Sequence, residues 1–377
     1  MRIGINGYEA VIPRFGYDLD TKLPIRVGSG AYCFELLTSL NKIDKKNNYL
    51  VYLPQEPTPD LPKESANWKY RTIPARKLWT VTALAPEFLF KKGKPDVFFT
   101  PTHYLPPFAP KKSVISILDV SYIYFPDLFA KKDLVRLKKW TRYSAKKAAK
   151  ILTISESSKS DIIKEYGVAE DKVEVIYPGI KSETRNPKSE TNMEELRKKF
   201  GIKDKFILFV GTLQPRKNIA KLIEAFSKLD SNLQLVIVGK KGWQYEEILS
   251  APKKFDVENR VLFVQDASDE DLPALYKNAE FFILPSLYEG FGLPVLEAMS
   301  NDCPVITSNV SSLPEAGGDA ALYVDPQNTE DITKKMQKLL DDKDLREELV
   351  KKGREQVKKF SWEKTARETL KVLEEVV

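Results

Sequence analysis

At 377 residues the chain is too long for one comfortable hydrophobic core, and its length fits two domains of about 150–200 residues each. A composition of 42% hydrophobic and 30% charged residues is that of a soluble globular chain and argues against global disorder. The longest apolar runs, such as FFILP at 281–285, fall far short of the roughly 18–20 residues a membrane span needs. The opening MRIGING runs straight into a strand-like pattern without a charged-then-apolar leader. Cys33 and Cys303 are too few for a disulfide framework and lack metal-ligand spacing. His103 is the only histidine, which leaves almost nothing for a Ser-His-Asp triad or a multi-histidine zinc site. The expected compartment is the cytoplasm.

The net charge of +7 is uneven. Residues 1–180 hold 29 Lys and Arg against 19 Asp and Glu, and the remainder is slightly acidic. The basic half is expected to meet an anionic partner: a phosphate-bearing acceptor, a membrane surface or a nucleic acid.

In chain order, strands are expected at RIGIN (2–6), YLVYL (49–53), DVFFT (96–100), SVISI (113–117), KILTI (150–154) and VEVIY (173–177). Helical stretches fall between several of them, near 29–41, 78–92, 131–148 and 157–166. Such alternation reads as a parallel sheet covered on both faces. The polar run KSETRNPKSETN (181–192) looks like a linker. The pattern then restarts with FILFV (206–210), a helix near 217–229, LQLVIVG (233–239), RVLFV (260–264), a helix near 269–277, EFFILP (280–285), a helix near 294–300, PVITS (304–308) and ALYV (321–324). Two charged helices near 329–341 and 344–358 precede a last one from about Trp362. The fold class is therefore α/β, with two doubly wound units; two such domains facing one another would leave a cleft between them. Ligands of such sheets lie outside the carboxyl ends of the strands, at topological switch points.

Three loops of the second half lie where that rule wants a ligand. In VGTLQPRKN (210–218), Gly211 allows a tight backbone while Arg216 and Lys217 crown a helix N-terminus, which suits phosphate. A solvated basic turn is the plain alternative. In PSLYEGFGLPVLEAM (285–299), Glu289 and Glu297 flank Gly290, Gly292 and Pro294, and the helix starts near Pro294. Glu297 is expected in its first turn and Glu289 on the loop before it, both at a cleft rather than in the core. The pair can then approach one ligand from different sides and accept hydrogen bonds from sugar or ribose hydroxyls. Otherwise Glu297 merely complements the helix dipole. In RVLFVQDASDEDLPALYKNAE (260–280), the strand end at Val264 can offer backbone groups to a planar base, or be an ordinary capped turn.

GTLQPRKN, the block from QDASDEDLP through YEGFGLPVLEAM to ALYVDP, and FSW at 360–362 together resemble the family 4 glycosyltransferases, retaining nucleotide-sugar-dependent enzymes of the GT-B fold. The likeness covers nearly all of 200–365 and extends more weakly through ISILDVSYIYFPD (115–127) and LTISESSKSDI (152–162). The GSGAY run at 28–32 is also family-like. The resemblance implies that Arg216 and Lys217, beside Gly211 and Thr212, hold the diphosphate. It puts Glu297 on the ribose, Glu289 on hydroxyls of the transferred sugar, and the backbone of Gly290, Phe291, Gly292 and Leu293 around sugar and phosphate. Val264 would lie by the base, and Gly28, Ser29 and Gly30 on the phosphate or acceptor side. It further implies an N-terminal acceptor domain of 1–180 plus about 362–377, and a nucleotide-sugar domain of 181–361.

Many relatives carry a His-Asp pair where this chain has Leu118-Asp119. Asp119 is retained as a site residue, with His103 as a neighbour at the next strand end or a plain loop residue. Thr212 stands where some relatives have an extra arginine. The implied chemistry is front-face transfer with retention, in which the departing diphosphate accepts the acceptor's proton; no metal or other cofactor is expected. The sequence leans by resemblance towards GDP-mannose, with a UDP-hexose next, and towards a glycan or lipid-linked acceptor. The rival functions are a decayed sugar-nucleotide-binding scaffold and a sugar epimerase of the same fold.

Residues 131–150 hold nine Lys or Arg and one acid, with Trp140 and Tyr143 among them and Leu134, Leu137 and Ala145 as an apolar stripe. A second stretch at 75–94 pairs Trp79, Phe88 and Phe90 with lysines. Both suit peripheral contact with anionic head groups at the inner face of a membrane. No nucleic-acid recognition motif accompanies the charge.

Overall fold

The computed structural model describes the chain apart from residues 14, 15, 19, 20, 76, 77, 91, 92, 181–191, 204 and 269. The expected linker at 181–192 therefore lies almost wholly outside the described residues. The chain divides into two units: Met1–Tyr124, Phe129–Gly179 and Ser361–Val377 form the first, and Phe125–Leu128 with Ile180–Phe360 the second.

The first unit carries a parallel seven-stranded sheet: β1 (Arg2–Asn6), β2 (Asn48–Leu53), β3 (Trp68–Thr72), β4 (Val97–Thr100), β5 (Ser113–Ser116), β6 (Lys150–Thr153) and β7 (Val173–Val175). Its spatial order is β3-β2-β1-β4-β5-β6-β7. Registers such as Ile5↔Val51 and Ile5↔Phe99 run β1 through the middle of the sheet, so Ile3 and Ile5 are fully buried on the face they share. Strand β3 is absent from the sequence reading. WKYRT has one fully buried residue, Trp68, followed by exposed and half-buried ones, because it is an edge strand and carries no core-strand pattern.

The helix Ser29–Ile43 buries Tyr32, Cys33, Leu36, Leu37 and Leu40. Against it packs the last helix, Trp362–Glu375, capped by the Ser361 hydroxyl. Trp362 meets Tyr32 edge-on at 5.8 Å, and Thr365 Oγ1 donates to the Tyr177 carbonyl at 2.8 Å. The helix expected near 78–92 is instead a π-helical turn, Thr80–Leu84, running into a short helix, Ala85–Phe90.

The second unit holds six parallel strands: β8 (Phe206–Val210), β9 (Gln234–Val238), β10 (Val261–Val264), β11 (Phe281–Leu284), β12 (Val305–Ser308) and β13 (Ala321–Val324). Their order is β10-β9-β8-β11-β12-β13. The chain winds outwards from β8 to β10, then returns to β11 on β8's other side, with Phe281 opposite Ile207. The switch point thus lies between β8 and β11. The helix Glu246–Lys254, absent from the sequence reading, carries Pro252 within it and buries only Ile248, Ala251 and Pro252.

The loops leaving β8 and β9 cross closely. Gly211 N–H donates to the Val238 carbonyl at 2.9 Å, and a Cβ on Gly239 would stand 1.9 Å from the Gly211 carbonyl oxygen. Gly239→Ala must therefore move main chain beside the β8 loop. It is expected to cost at least about 2–3 kcal/mol, read as a lowered denaturation midpoint; an unchanged midpoint would contradict this packing.

Candidate functional site at the switch point of the second sheet

The loops after β8 and β11 bring Arg216, Lys217 and Glu289 together. After β8, residues Pro215–Lys217 form a 3-10 turn, and Asn218 follows in the left-handed region at φ 61°, so the next helix begins only at Ile219. Arg216 and Lys217 thus sit in a tight turn ahead of the helix, not on its N-terminus as the sequence reading expected. Asn218 holds that bend: its Nδ2 donates to the Pro285 carbonyl at 3.1 Å and to the Pro326 carbonyl at 2.7 Å.

Glu289 lies between the two cations. Arg216 Nη1 donates to its Oε2 at 2.8 Å, Lys217 Nζ to its Oε1 at 2.6 Å, and Ser286 Oγ to Oε1 at 2.7 Å. Arg216 also reaches the Tyr288 carbonyl at 2.7 Å, and its own carbonyl accepts from Leu287 N–H at 2.8 Å. The Glu289 backbone is clamped in turn: its N–H donates to Ser311 Oγ, and its carbonyl accepts from Ser312 Oγ. Glu289 is only 6% exposed, against the expectation of a loop residue outside the core. Burial alone would raise its pKa, but Arg216, Lys217 and the Lys217 and Ser286 hydrogen bonds outweigh it and bring it down to about 2. Two cations and one carboxylate sum to a formal +1, an environment suited to anions.

Gly292, at φ 106°, caps the helix Leu293–Ser300, and a Cβ there would reach Leu313 Cδ2 at 2.8 Å. Glu297 is the fifth residue of this helix, one place beyond the expected first turn, and is half-buried. Its Oε2 accepts from Tyr276 Oη at 3.1 Å. Gly290 and Phe291 are buried, Phe291 meeting Phe360 edge-on at 5.4 Å, and Leu293 is half-buried. Gly211 and Thr212 are half-buried beside the β9 loop. The Val264 side chain is buried and its carbonyl accepts from Gly239 N–H at 2.9 Å, so its main chain faces that same loop. The segment Phe125–Leu128 belongs to this unit as well, with the Phe125 ring 6.1 Å from Tyr288 and the Asp127 carbonyl accepting from Gln244 Nε2. The sequence reading had assigned it to the N-terminal domain.

In the first unit, exposed Gly28 caps the helix Ser29–Ile43 at φ 54°, and Gly30 is buried. Ser29 Oγ donates to Glu9 Oε2 at 3.2 Å. His103 follows β4, half-buried, its ring 4.2 Å from Tyr104 and 6.4 Å from Tyr122. Half-buried Asp119 follows β5 and accepts from Ser121 N–H at 2.9 Å. Leu118 packs on the hydrophobic core. Sequence reasoning missed Glu9, Asn218, Tyr276 and Ser286. Glu9 was legible only as an acid just after a strand, and the others as ordinary polar or aromatic residues. Among the described residues no group of three or more His, Cys, Asp or Glu is gathered that could hold a metal.

The fold is thus that of a doubly wound α/β protein with paired cations at the switch point of its second sheet, an arrangement suited to an anionic ligand. Residues 192–356 match the family described as Glycosyl transferases group 1, and residues 28–184 match Glycosyltransferase Family 4. The chain is 32% identical over 307 residues to O-antigen chain mannosyltransferase B of Escherichia coli, covering 80% of this chain and 78% of that protein. It is 35% identical over 227 residues to the serotype-specific mannosyltransferase WbdA of Escherichia coli, of which it spans only 28%. The crystal structure of Anabaena Alr3699/HepE in complex with UDP-glucose superposes with a TM-score of 0.71 at 16% identity, covering all of both chains. The chain belongs to the family 4 glycosyltransferases and has their GT-B fold.

Replacing Glu289 with Gln leaves two cations beside a neutral amide. Glu289→Gln is expected to lose about 3 kcal/mol of stability at pH 7. Because its folded pKa is depressed, that contribution is complete above about pH 4.5 and fades as pH falls towards 2. The wild type and the variant should therefore converge in denaturant melts across that window. A constant gap would mean the pair does not titrate this way.

Proposed function

We propose that this glycosyltransferase is a hexosyltransferase that moves a hexose from a nucleotide sugar, GDP-mannose first and a UDP-hexose next, to a glycan or lipid-linked acceptor with retention of configuration. The observation that carries this reading is the Arg216–Glu289–Lys217 cluster at the switch point, where a leaving diphosphate needs fixed positive charge. Support for mannose as the sugar comes from the mannosyltransferase names of the two relatives, and for a nucleotide sugar from the UDP-glucose in HepE.

Arg216 and Lys217, with Gly211 and Thr212, would hold the diphosphate. Glu297 would take the ribose hydroxyls, and the Val264 main chain would lie by the base. Glu289 would take hydroxyls of the transferred sugar while keeping both cations in place, and the backbone of 290–293 would surround sugar and phosphate. Gly28, Ser29, Gly30, His103 and Asp119 would serve the acceptor or phosphate side. The bond from the anomeric carbon to the diphosphate breaks, the acceptor oxygen bonds on the same face, and its proton passes to the departing phosphate oxygen. Arg216 and Lys217 would take part of the leaving charge, the cluster keeping a formal +1 beside Glu289, and on this reading the reaction needs no metal.

Lys217→Ala is expected to weaken the binding of GDP or UDP roughly tenfold or more while leaving the nucleoside nearly unaffected, because the lost contact is with phosphate. Calorimetry decides it, and equal losses for both ligands would place Lys217 elsewhere. Transfer by the wild type should persist in EDTA.

The helix Lys131–Lys147 supports a peripheral membrane role. It exposes Lys138, Lys139, Arg142, Lys146 and Lys147 beside Val135 and Tyr143, while Thr141, Ser144 and Ala145 are buried. The second stretch contributes less than its composition suggested. Trp79 and Phe88 are core residues and Phe90 is 78% exposed, while Arg76, Lys77, Lys91 and Lys92 lie outside the described residues. No helix among the described residues is long and apolar enough to cross a membrane. Reversing Lys138, Lys139, Lys146 and Lys147 to glutamate should abolish cosedimentation with anionic liposomes at low salt, at about 1 kcal/mol per lysine removed. Wild-type protein that ignores such liposomes would leave the patch a solvated face.

A further inference from the structure

We propose that Tyr276 is a positioning residue of the nucleotide site, its hydroxyl holding the Glu297 carboxylate in the orientation that receives the ribose. This rests on the assignment of Glu297 to the ribose made above. Tyr276 lies on the helix Asp271–Asn278, is 1% exposed, and is set by the core: its ring meets Phe282 of β11 edge-on at 5.5 Å. From there its Oη spans to the neighbouring helix and donates to Glu297 Oε2 at 3.1 Å. Burial and the adjacent carboxylate push the phenol far above its ordinary range, so it remains a donor at every working pH.

The main chain of Glu297 is held separately, its carbonyl accepting from Ser300 Oγ and from Asn301 Nδ2, each at 2.8 Å. Tyr276 acts instead on the side chain. An ionised carboxylate offers about four acceptor positions, so the tyrosine bond leaves capacity for ribose hydroxyls. Fixing the carboxylate from the core side removes freedom that a ligand would otherwise have to remove on binding. A buried donor anchored in apolar surroundings is thus a support for a ligand-facing acid, the arrangement by which a second layer of residues tunes a site.

The test is Tyr276→Phe, which deletes one oxygen and keeps the ring. Calorimetry compares a nucleoside diphosphate, GDP or UDP, with its 2′-deoxy and 3′-deoxy counterparts on the wild type, Tyr276→Phe, Glu297→Ala and the double variant. The wild type should prefer the ribose form by roughly tenfold or more, the range for a hydrogen bond to a charged group. Glu297→Ala should erase that preference. Tyr276→Phe should lose most of it while binding the deoxy ligands as the wild type does, and the double variant should be no worse than Glu297→Ala. If Tyr276→Phe keeps the full ribose preference, whatever its melting temperature, the tyrosine is a structural residue and the proposal falls. If the wild type itself shows no ribose preference, the assignment of Glu297 fails first, and the two failures are distinct.

Discussion

The buried ion cluster of Glu289 with Arg216 and Lys217 is the constraint around which the second unit is arranged. Each of its members comes from a strand-end loop, and beyond the single 3-10 turn Pro215–Lys217 neither loop has regular structure to hold it. What fixes them is mutual: one carboxylate bridges two cations from the β8 loop, with Ser286 donating a third bond to it. A buried pair of this kind is dear to desolvate and costly to break, so it contributes little net stability but a defined geometry. Ser311 and Ser312 extend that definition to the β12 loop, and Asn218 ties the same turn to Pro285 and Pro326.

The sheet decides where this cluster can form. Winding from β8 out to β10 and back to β11 leaves the loops after β8 and β11 adjacent, with nothing above them from an intervening strand. The strands themselves, FILFV, QLVIV and FFIL, are nearly continuous apolar runs because both faces are covered. Charge is thus excluded from the layer beneath the site and gathered at its carboxyl edge, where low surrounding polarity strengthens the pairing of Glu289 with Arg216 and Lys217.

The same logic separates the roles of the two glutamates eight positions apart. Glu289 lies on a buried loop and serves the cations, whereas Glu297 lies within a helix, half-buried and touched by a tyrosine from the core. A sequence pattern that treats them as a matched pair of open acceptors misses this division of labour. The difference comes from which neighbours each finds, not from the residues themselves.

Central strands, the long helices and the loops at strand ends were legible because burial imposes apolar runs and switch-point loops need glycine, proline and charge in short order. Arg216, Lys217, Glu289 and Glu297 could be named on that ground alone. Edge strand β3 was not legible, since one buried face of five residues leaves no pattern, nor was the helix containing Pro252. The sequence by itself determined the strand-helix alternation and picked out the strand-end loops whose charged residues meet, because periodicity and local residue type are local properties. Only the tertiary structure decided that Glu289 is buried as the counter-ion of two cations, that Asn218 bends the chain ahead of the helix, and that Tyr276 reaches Glu297, because each depends on groups between 21 and 108 residues apart brought together by packing.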